Sequence, residues 1–226
     1  MTQGVFISGT DTGVGKTMVS VALLRALVAE GYATIGMKPV AAGLPIGDPV
    51  NADVRALMAA GNRVAPLADI NPYCFAPPIA PHLAAFAIGS EINLERIAAA
   101  YARLAAVADA IVVEGAGGLL VPLGSKTDML DVAVRLGLPV VLVVGIRLGC
   151  LNHALLSALA LEVRGVRFAG WVANRSDATM PEGEANVATL LARLNAPLLA
   201  DIAWSAGGAP VTEFDRTTFK LLGFAR

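Results

Sequence analysis

Gly9-Thr10-Asp11-Thr12-Gly13-Val14-Gly15-Lys16-Thr17 stands between a short apolar run, Val5-Phe6-Ile7-Ser8, and a helical pattern over 16–30. A glycine-rich turn that opens a helix aims several backbone N–H groups at one place, and the helix N-terminus adds positive potential there. Phosphate is the natural ligand of such a loop. Lys16 can reach the outer phosphates of a nucleoside triphosphate, and the Thr17 hydroxyl can serve Mg²⁺. The usual spacing G-x-x-x-x-G-K-[ST] would put glycine at Thr10; here the loop runs from Gly9 to Gly15 and is one residue longer. An ordinary turn would also carry glycines, but not the strand, the Gly-Lys-Thr run and the helix together.

Outward from this loop the chain alternates. Apolar runs at 5–8, 33–38, 110–114, 139–145, 167–174 and 197–201 read as strands, and the stretches 16–30, 53–60, 94–107, 128–136, 152–163 and 182–194 read as helices. Gly31 is a stop signal for the first helix. Such alternation predicts an α/β fold of the P-loop NTPase type, a mostly parallel sheet with helices on both faces, as one domain over 1–226. Continuous Val/Ile/Leu runs in strands covered on both faces also account for a hydrophobic fraction of 56% and a mean hydropathy of +0.66. The stretch 70–89 lacks charge, but Asn71, Pro72, Pro77, Pro78, Pro81 and His82 make it a proline-rich surface loop in this reading rather than a membrane span.

A net charge of -1 and a pI near 6.1 offer no electrostatic attraction to nucleic acid or to an anionic membrane, so the expected partners are small molecules. Cys74 and Cys150 form no CxxC pair, which argues against a disulfide framework or a metal cluster. The first apolar residues lead directly into the glycine loop without a signal-peptide pattern, and the expected compartment is the cytoplasm.

In folds of this class ligands sit beyond the carboxyl ends of the strands, so what each strand delivers there is informative. The second strand ends in Met37-Lys38-Pro39. Arginines outnumber lysines 13 to 4, yet both lysines of the first 40 residues fall at strand ends or loop ends. A compact ammonium is a point charge where Arg is a planar fork, which suits Lys38 to a small developing anion. The central strand ends on Glu114, followed by Gly115, Ala116, Gly117 and Gly118, where backbone can approach a ligand closely. An acid at that position can hold Mg²⁺ directly or through water. Asp53, two residues after Asn51, favours a helix start by its charge. The segment Leu148-Gly149-Cys150-Leu151-Asn152-His153 opens a helix, either as a carboxylate-binding N-terminus or as an ordinary start capped by Asn152. Asn174 ends the next strand, where a carboxamide could read adenine. Phe168 and Trp171 read as core, and His82 and His153 lack metal-ligand partners at useful spacing.

Taken together, Gly-Thr-Asp-Thr-Gly-Val-Gly-Lys-Thr (9–17), Lys-Pro-Val (38–40), Asn-Pro-Tyr (71–73) with Pro81-His82, Val-Glu-Gly-Ala-Gly-Gly (113–118), Leu-Gly-Cys-Leu-Asn-His (148–153) and Gly-Trp-Val-Ala-Asn (170–174) resemble the dethiobiotin synthetase family, in the same order. The resemblance is strong to about residue 175 and weaker beyond. It implies ATP-dependent closure of 7,8-diaminononanoate and CO2 into the cyclic urea of dethiobiotin, a step of biotin biosynthesis, with ADP and phosphate released. By that resemblance Lys16 and Lys38 are catalytic, and Thr17, Asp53 and Glu114 hold Mg²⁺. ATP would meet Thr12, Gly13, Val14, Gly15, Lys16, Thr17 and Met18, then Asp53, Glu114, Gly115, Ala116 and Gly117, with Asn174 and Arg175 at the adenine. Substrate would meet Lys38, Ala42, Gly117 and Gly118 and, across a homodimer interface, Leu148, Cys150, Leu151 and Asn152. Gly13, Ala42 and Asn186 stand where some relatives carry an acidic residue, a hydroxyl residue and a tyrosine.

Two rivals share the loop. A dimeric ATP-driven switch of the partitioning or septum-positioning type usually carries an extra lysine early in the loop, and residues 10–15 contain none. A cobyrinate-type amide ligase is expected to continue into a glutaminase domain.

Overall fold

In the computed structural model, which describes residues 2–45, 47–175, 180–204 and 214–224, the elements in chain order are β1 (Gln3–Gly9), α1 (Lys16–Ala29), β2 (Thr34–Met37), β3 (Val40–Ala42), α2 (Ala52–Ala60), α3 (Leu67–Ile70), β4 (Tyr73–Phe75), α4 (Pro81–Ala87), α5 (Leu94–Ala105), β5 (Ala110–Gly118), α6 (Met129–Leu136), β6 (Val140–Gly145), α7 (Cys150–Val163), β7 (Phe168–Asn174), α8 (Gly183–Arg193), β8 (Leu198–Ile202) and α9 (Arg216–Leu222). Six strands form one sheet in the order β2-β5-β1-β6-β7-β8, and every pairing in it is parallel. The expected mostly parallel sheet flanked by helices is therefore what the chain builds.

Alternation along the central strands explains why both faces are covered. Phe6, Ile111 and Val113 face one apolar cluster, whereas Val5, Ile7, Ala110 and Val112 face another, and all are fully buried. Helix α1 lays Val19, Leu23, Leu24 and Leu27 on the second cluster, spaced to share one helical face. Burying each such side chain stabilises the fold by about 1.5–3 kcal/mol before entropy is counted. The chain starts at β1 and later strands add on both sides of it, so the order reverses beside β1. That reversal opens the crevice in which α/β sheets hold ligands.

Three expectations need correction. The stretch 70–89 is more than a surface loop: Tyr73–Phe75 forms β4, paired in parallel with β3, and Pro81–Ala87 forms α4 with proline in its first turn. The prolines do not prevent this, because Pro81 sits where a helix N–H would be unpaired anyway, and Ile70, Tyr73, Phe75, Ala84 and Ala85 are buried. Second, the strand carrying Glu114 does not end there. β5 continues to Gly118, and its register against β1 shifts: Ile7 faces Glu114 but Gly9 faces Gly118, so the glycine-rich tail bows out between them. Third, Asn152 does not cap the helix after β6. α7 begins at Cys150 behind Gly149 at φ 92°, a left-handed conformation that glycine adopts without penalty. Elements α3, β3 and α9 had no sequence signal of their own. Among the described residues no helix is long and apolar enough to cross a membrane.

Candidate active site

The carboxyl ends of β1, β2 and β5 and the start of α2 surround a cleft of about 780 Å³. Thr12, Gly13, Gly15, Lys16 and Thr17 line it from the loop after β1, Lys38 and Ala42 from the edge beside β2, Asp53 from α2, and Glu114, Ala116 and Gly117 from β5. Three strands, distant in sequence, thus bring together most of the residues singled out above.

The loop is held from below. Gly15 precedes α1 at φ 93°, and Asn174 at the end of β7 donates its Nδ2 to the Val14 carbonyl at 2.8 Å. A Cβ on Gly15 would lie 2.3 Å from that same Nδ2, so the position excludes any side chain on two grounds. Asn174, expected at the adenine, has one of its polar atoms engaged under the phosphate loop, and Arg175 next to it forms a two-pronged ion pair with Asp201 at 2.8 and 2.7 Å. Lys16 donates to the Asp11 carbonyl at 2.9 Å, and the Asp11 carboxylate pairs with Arg147 from the turn between β6 and α7.

Lys16 is 7% exposed. Burial, and then the neighbouring charge of Lys38, lower its pKa from 10.5 to about 8. The free loop therefore holds a lysine whose charge is disfavoured until an anion arrives beside it.

Lys38 is 4% exposed and sits between two acids: its Nζ lies 2.7 Å from Asp53 Oδ2 and 2.6 Å from Glu114 Oε1. Burial works against its charge, but the two carboxylates outweigh burial and raise its pKa above the usual lysine value. Asp53 shows the reverse balance. Burial would raise it, yet the Lys38 ammonium beside it holds its carboxyl below the usual range. The Asn51 side chain fixes Asp53 by accepting from its N–H at 3.0 Å, as the cap of α2. Asn71 fixes the lysine's backbone, donating to the carbonyls of Lys38 and Tyr73 at 2.6 and 3.0 Å. That pinning is the structural role of the Asn-Pro-Tyr segment, and sequence reasoning did not supply it.

Glu114 is fully buried. Thr17 donates its hydroxyl to Glu114 Oε1 at 2.9 Å, beside the Lys38 contact, whereas Glu114 Oε2 is buried with no hydrogen-bond partner among the described residues. A buried carboxylate oxygen left without a partner is costly. The donor set around it, a hydroxyl and two carboxylates, is hard oxygen only, which fits a cation such as Mg²⁺ that takes one or two protein acids and completes its shell with phosphates and water. Among the described residues no group of three His, Cys, Asp or Glu side chains gathers at one place; two acids and a hydroxyl would leave the rest of a cation's shell to phosphate or water.

The structure does not bring every expected residue to the cleft. Leu148, Cys150, Leu151 and Asn152 are not among its lining: Leu148 is 92% exposed, and Cys150 is buried in the core behind α7. Val14, Met18, Gly115 and Gly118 support the loop or β5 from outside the lining. Conversely, Pro78, Ile79, Ala80 and Pro81, with Val121 and Pro122, form an apolar wall that sequence reading missed. The signal was the proline-rich segment itself, whose low charge fits a surface against a ligand's carbon chain.

A parallel sheet in this order, with a glycine loop and Lys-Thr at the start of α1, defines a P-loop nucleotide-dependent enzyme. A family profile described as an AAA domain matches residues 3–210. The fold is shared with the MinC:MinD cell division protein complex of Aquifex aeolicus at TM-score 0.57 and 18% identity, over 90% of this chain and 82% of that one. It is shared too with a ParA family ATPase from Chlorobium tepidum at TM-score 0.53 and 15% identity, over 91% and 86%. Likeness at that identity concerns fold alone. The ATP-dependent dethiobiotin synthetase BioD of Aromatoleum aromaticum is 48% identical over 207 residues, 91% of this chain and 92% of that protein. The protein of the same name from Nitrosospira multiformis is 52% identical over 199 residues, 88% and 87%. The chain belongs to the dethiobiotin synthetase family of ATP-dependent ligases.

Proposed function

We propose that this protein is a Mg-ATP-dependent cyclo-ligase that carboxylates 7,8-diaminononanoate with CO2 and closes the ureido ring of dethiobiotin, releasing ADP and phosphate. The observation that carries this reading is Lys38. An ATPase of this fold needs Lys16, and a second buried lysine at the next strand end, 2.6 Å from Glu114, is suited to neutralise a further anion beside the γ-phosphate.

In this reading one amine of the substrate takes up CO2 as a carbamate, and a carbamate oxygen attacks the γ-phosphorus. The second amine then attacks the carbamate carbon and displaces phosphate, closing the ring. Phosphoryl transfer asks a protein mainly for positioning and charge neutralisation. The N–H groups from Gly13 to Met18 orient the phosphates, Lys16 takes up charge on the γ-phosphate, and Lys38 that on the carbamate. Thr17, Asp53 and Glu114 would hold Mg²⁺, which when bound draws charge from the phosphate oxygens. The wall of Pro78, Ile79 and Val121 shields the chain of the diamine and keeps water from the mixed anhydride. The backbone at Gly117 and Gly118 and the small Ala42 leave room for the substrate, and Asn174 with Arg175 borders the adenine.

The reading includes a homodimer in the cytoplasm, with the whole chain acting as one domain. Leu148 and Asn152 are exposed and lie outside the cleft of their own chain, which supports their reaching the substrate carboxylate of a second subunit. Mass spectrometry of the products from diaminononanoate, bicarbonate and Mg-ATP tests the whole proposal. Dethiobiotin formed in step with phosphate is the expected result; phosphate release without it, or dependence on a partner protein or an ammonia source, refutes it.

A further inference from the structure

Asp53 and Glu114 are already tied together through Lys38, and Thr17 joins them through Glu114. The ammonium bridges Asp53 Oδ2 at 2.7 Å and Glu114 Oε1 at 2.6 Å, and the Thr17 hydroxyl spends its proton on that same Glu114 oxygen. A divalent ion needs lone pairs of these oxygens at about 2.0–2.1 Å. A lysine ammonium and a doubly charged ion that share one carboxylate oxygen stand within a few ångströms of each other, where like charges in a site of low dielectric repel strongly. One of them has to give way.

Which group moves is decided by the packing. Glu114 is fully buried in a strand flanked on both sides, and Asp53, whose backbone N–H is held by Asn51 at the start of α2, has only a short side chain with little reach. The Lys38 backbone is pinned by Asn71, but its four-carbon stem has more rotatable bonds than either acid, and it borders the cleft of about 780 Å³. We propose that Lys38 and a divalent cation compete for the Asp53–Glu114 pair, so that cation binding expels the ammonium into the cleft and makes its charge available to the reacting carbamate. The inference rests on the metal role proposed for these residues. Its consequence is an order of events, because Lys38 serves the chemistry only once the cation has taken over the two acids. Until then the lysine neutralises the buried Glu114 and the half-buried Asp53.

Mn²⁺ is the probe, with free ion counted by electron paramagnetic resonance in the absence of nucleotide and diamine. Lys38→Met and Lys38→Gln, each checked for folding by circular dichroism, should bind Mn²⁺ at least about tenfold more tightly than the unaltered protein. Lys38→Arg, which keeps the charge, should not. A purely structural lysine would leave the affinity unchanged or weaken it, and that result in the folded variants overturns the proposal. A readout that needs no variant is acylation of Lys38 by acetic anhydride, located by peptide mass. Saturating Mn²⁺ should raise it severalfold, and unchanged or reduced labelling overturns the proposal even if both neutral variants fail to fold. Absence of Mn²⁺ binding by every form, with ATP present as well, overturns it together with the metal assignment. Affinity is read without diamine, so failure of ring closure and failure of this competition are separate results.

Discussion

Replacing Lys16 with methionine should make the ligand-free protein more stable while removing its activity. The magnitude follows from the site. Burial and the charge of Lys38 lower the Lys16 pKa from 10.5 to about 8, and at 1.36 kcal/mol per pH unit this is about 3 kcal/mol of unfavourable free energy carried by the charged form. Against it stands the hydrogen bond to the Asp11 carbonyl at 2.9 Å, worth about 0.5–1.5 kcal/mol and replaceable by water at that loop. Methionine keeps the length of the side chain without its charge, so the expected net gain is about 2 kcal/mol at pH 7. The pH dependence has a definite sign. Because the folded-state pKa lies below the unfolded one, the native protein holds fewer protons between pH 8 and 10.5, and the stability of the unaltered protein rises through that window. The variant's advantage is full below pH 8 and shrinks above it. Urea unfolding of both proteins at pH 7 and pH 9.5 measures the gap, and single-turnover phosphate release should show a loss of about 10² to 10³ in rate. A variant less stable than its parent at pH 7, or a gap independent of pH, refutes the electrostatic reasoning.

Glu114→Gln should keep the fold yet shift the Mg²⁺ dependence of turnover to higher concentration; a titration unchanged from the parent, with activity intact, removes Glu114 from the metal site. Gly15→Ala places a Cβ 2.3 Å from Asn174 Nδ2 at φ 93° and should cost about 1–3 kcal/mol in chemical denaturation, with nucleotide affinity lost by calorimetry. Asn71→Ala leaves the carbonyls of Lys38 and Tyr73 without their buried donor and should destabilise by about 2 kcal/mol; diamine-dependent turnover should fall more than ATP affinity, and an equal fall in both would show that Asn71 acts on the fold in general.

The sequence alone determined the parts of this protein that depend on local patterning. Glycines and Lys-Thr between an apolar run and a helical period can do little except cradle phosphate, and alternating apolar strands and helices leave a parallel sheet covered on both faces as the economical fold. The order of motifs carried the family as well, and with it the pairing of Lys16 with Lys38. Tertiary structure decided what depends on meetings across the chain. Nothing local in the sequence says that Lys38 touches both Asp53 and Glu114, because those contacts exist only once β2 and β5 are neighbours. The same holds for Asn174, whose carboxamide reaches back across 160 residues to Val14. The proline-rich stretch hid β4 and α4 because local propensity treats proline as a breaker. Burial of Tyr73, Phe75 and Ala84 against the core overrode that propensity, with Pro81 placed in the first turn of α4 where no N–H was needed. Charge followed the same division: composition fixed the net value of -1, but only the packed cleft set the depressed pKa of Lys16 and the raised one of Lys38, since both come from loss of water and from neighbours that folding supplies.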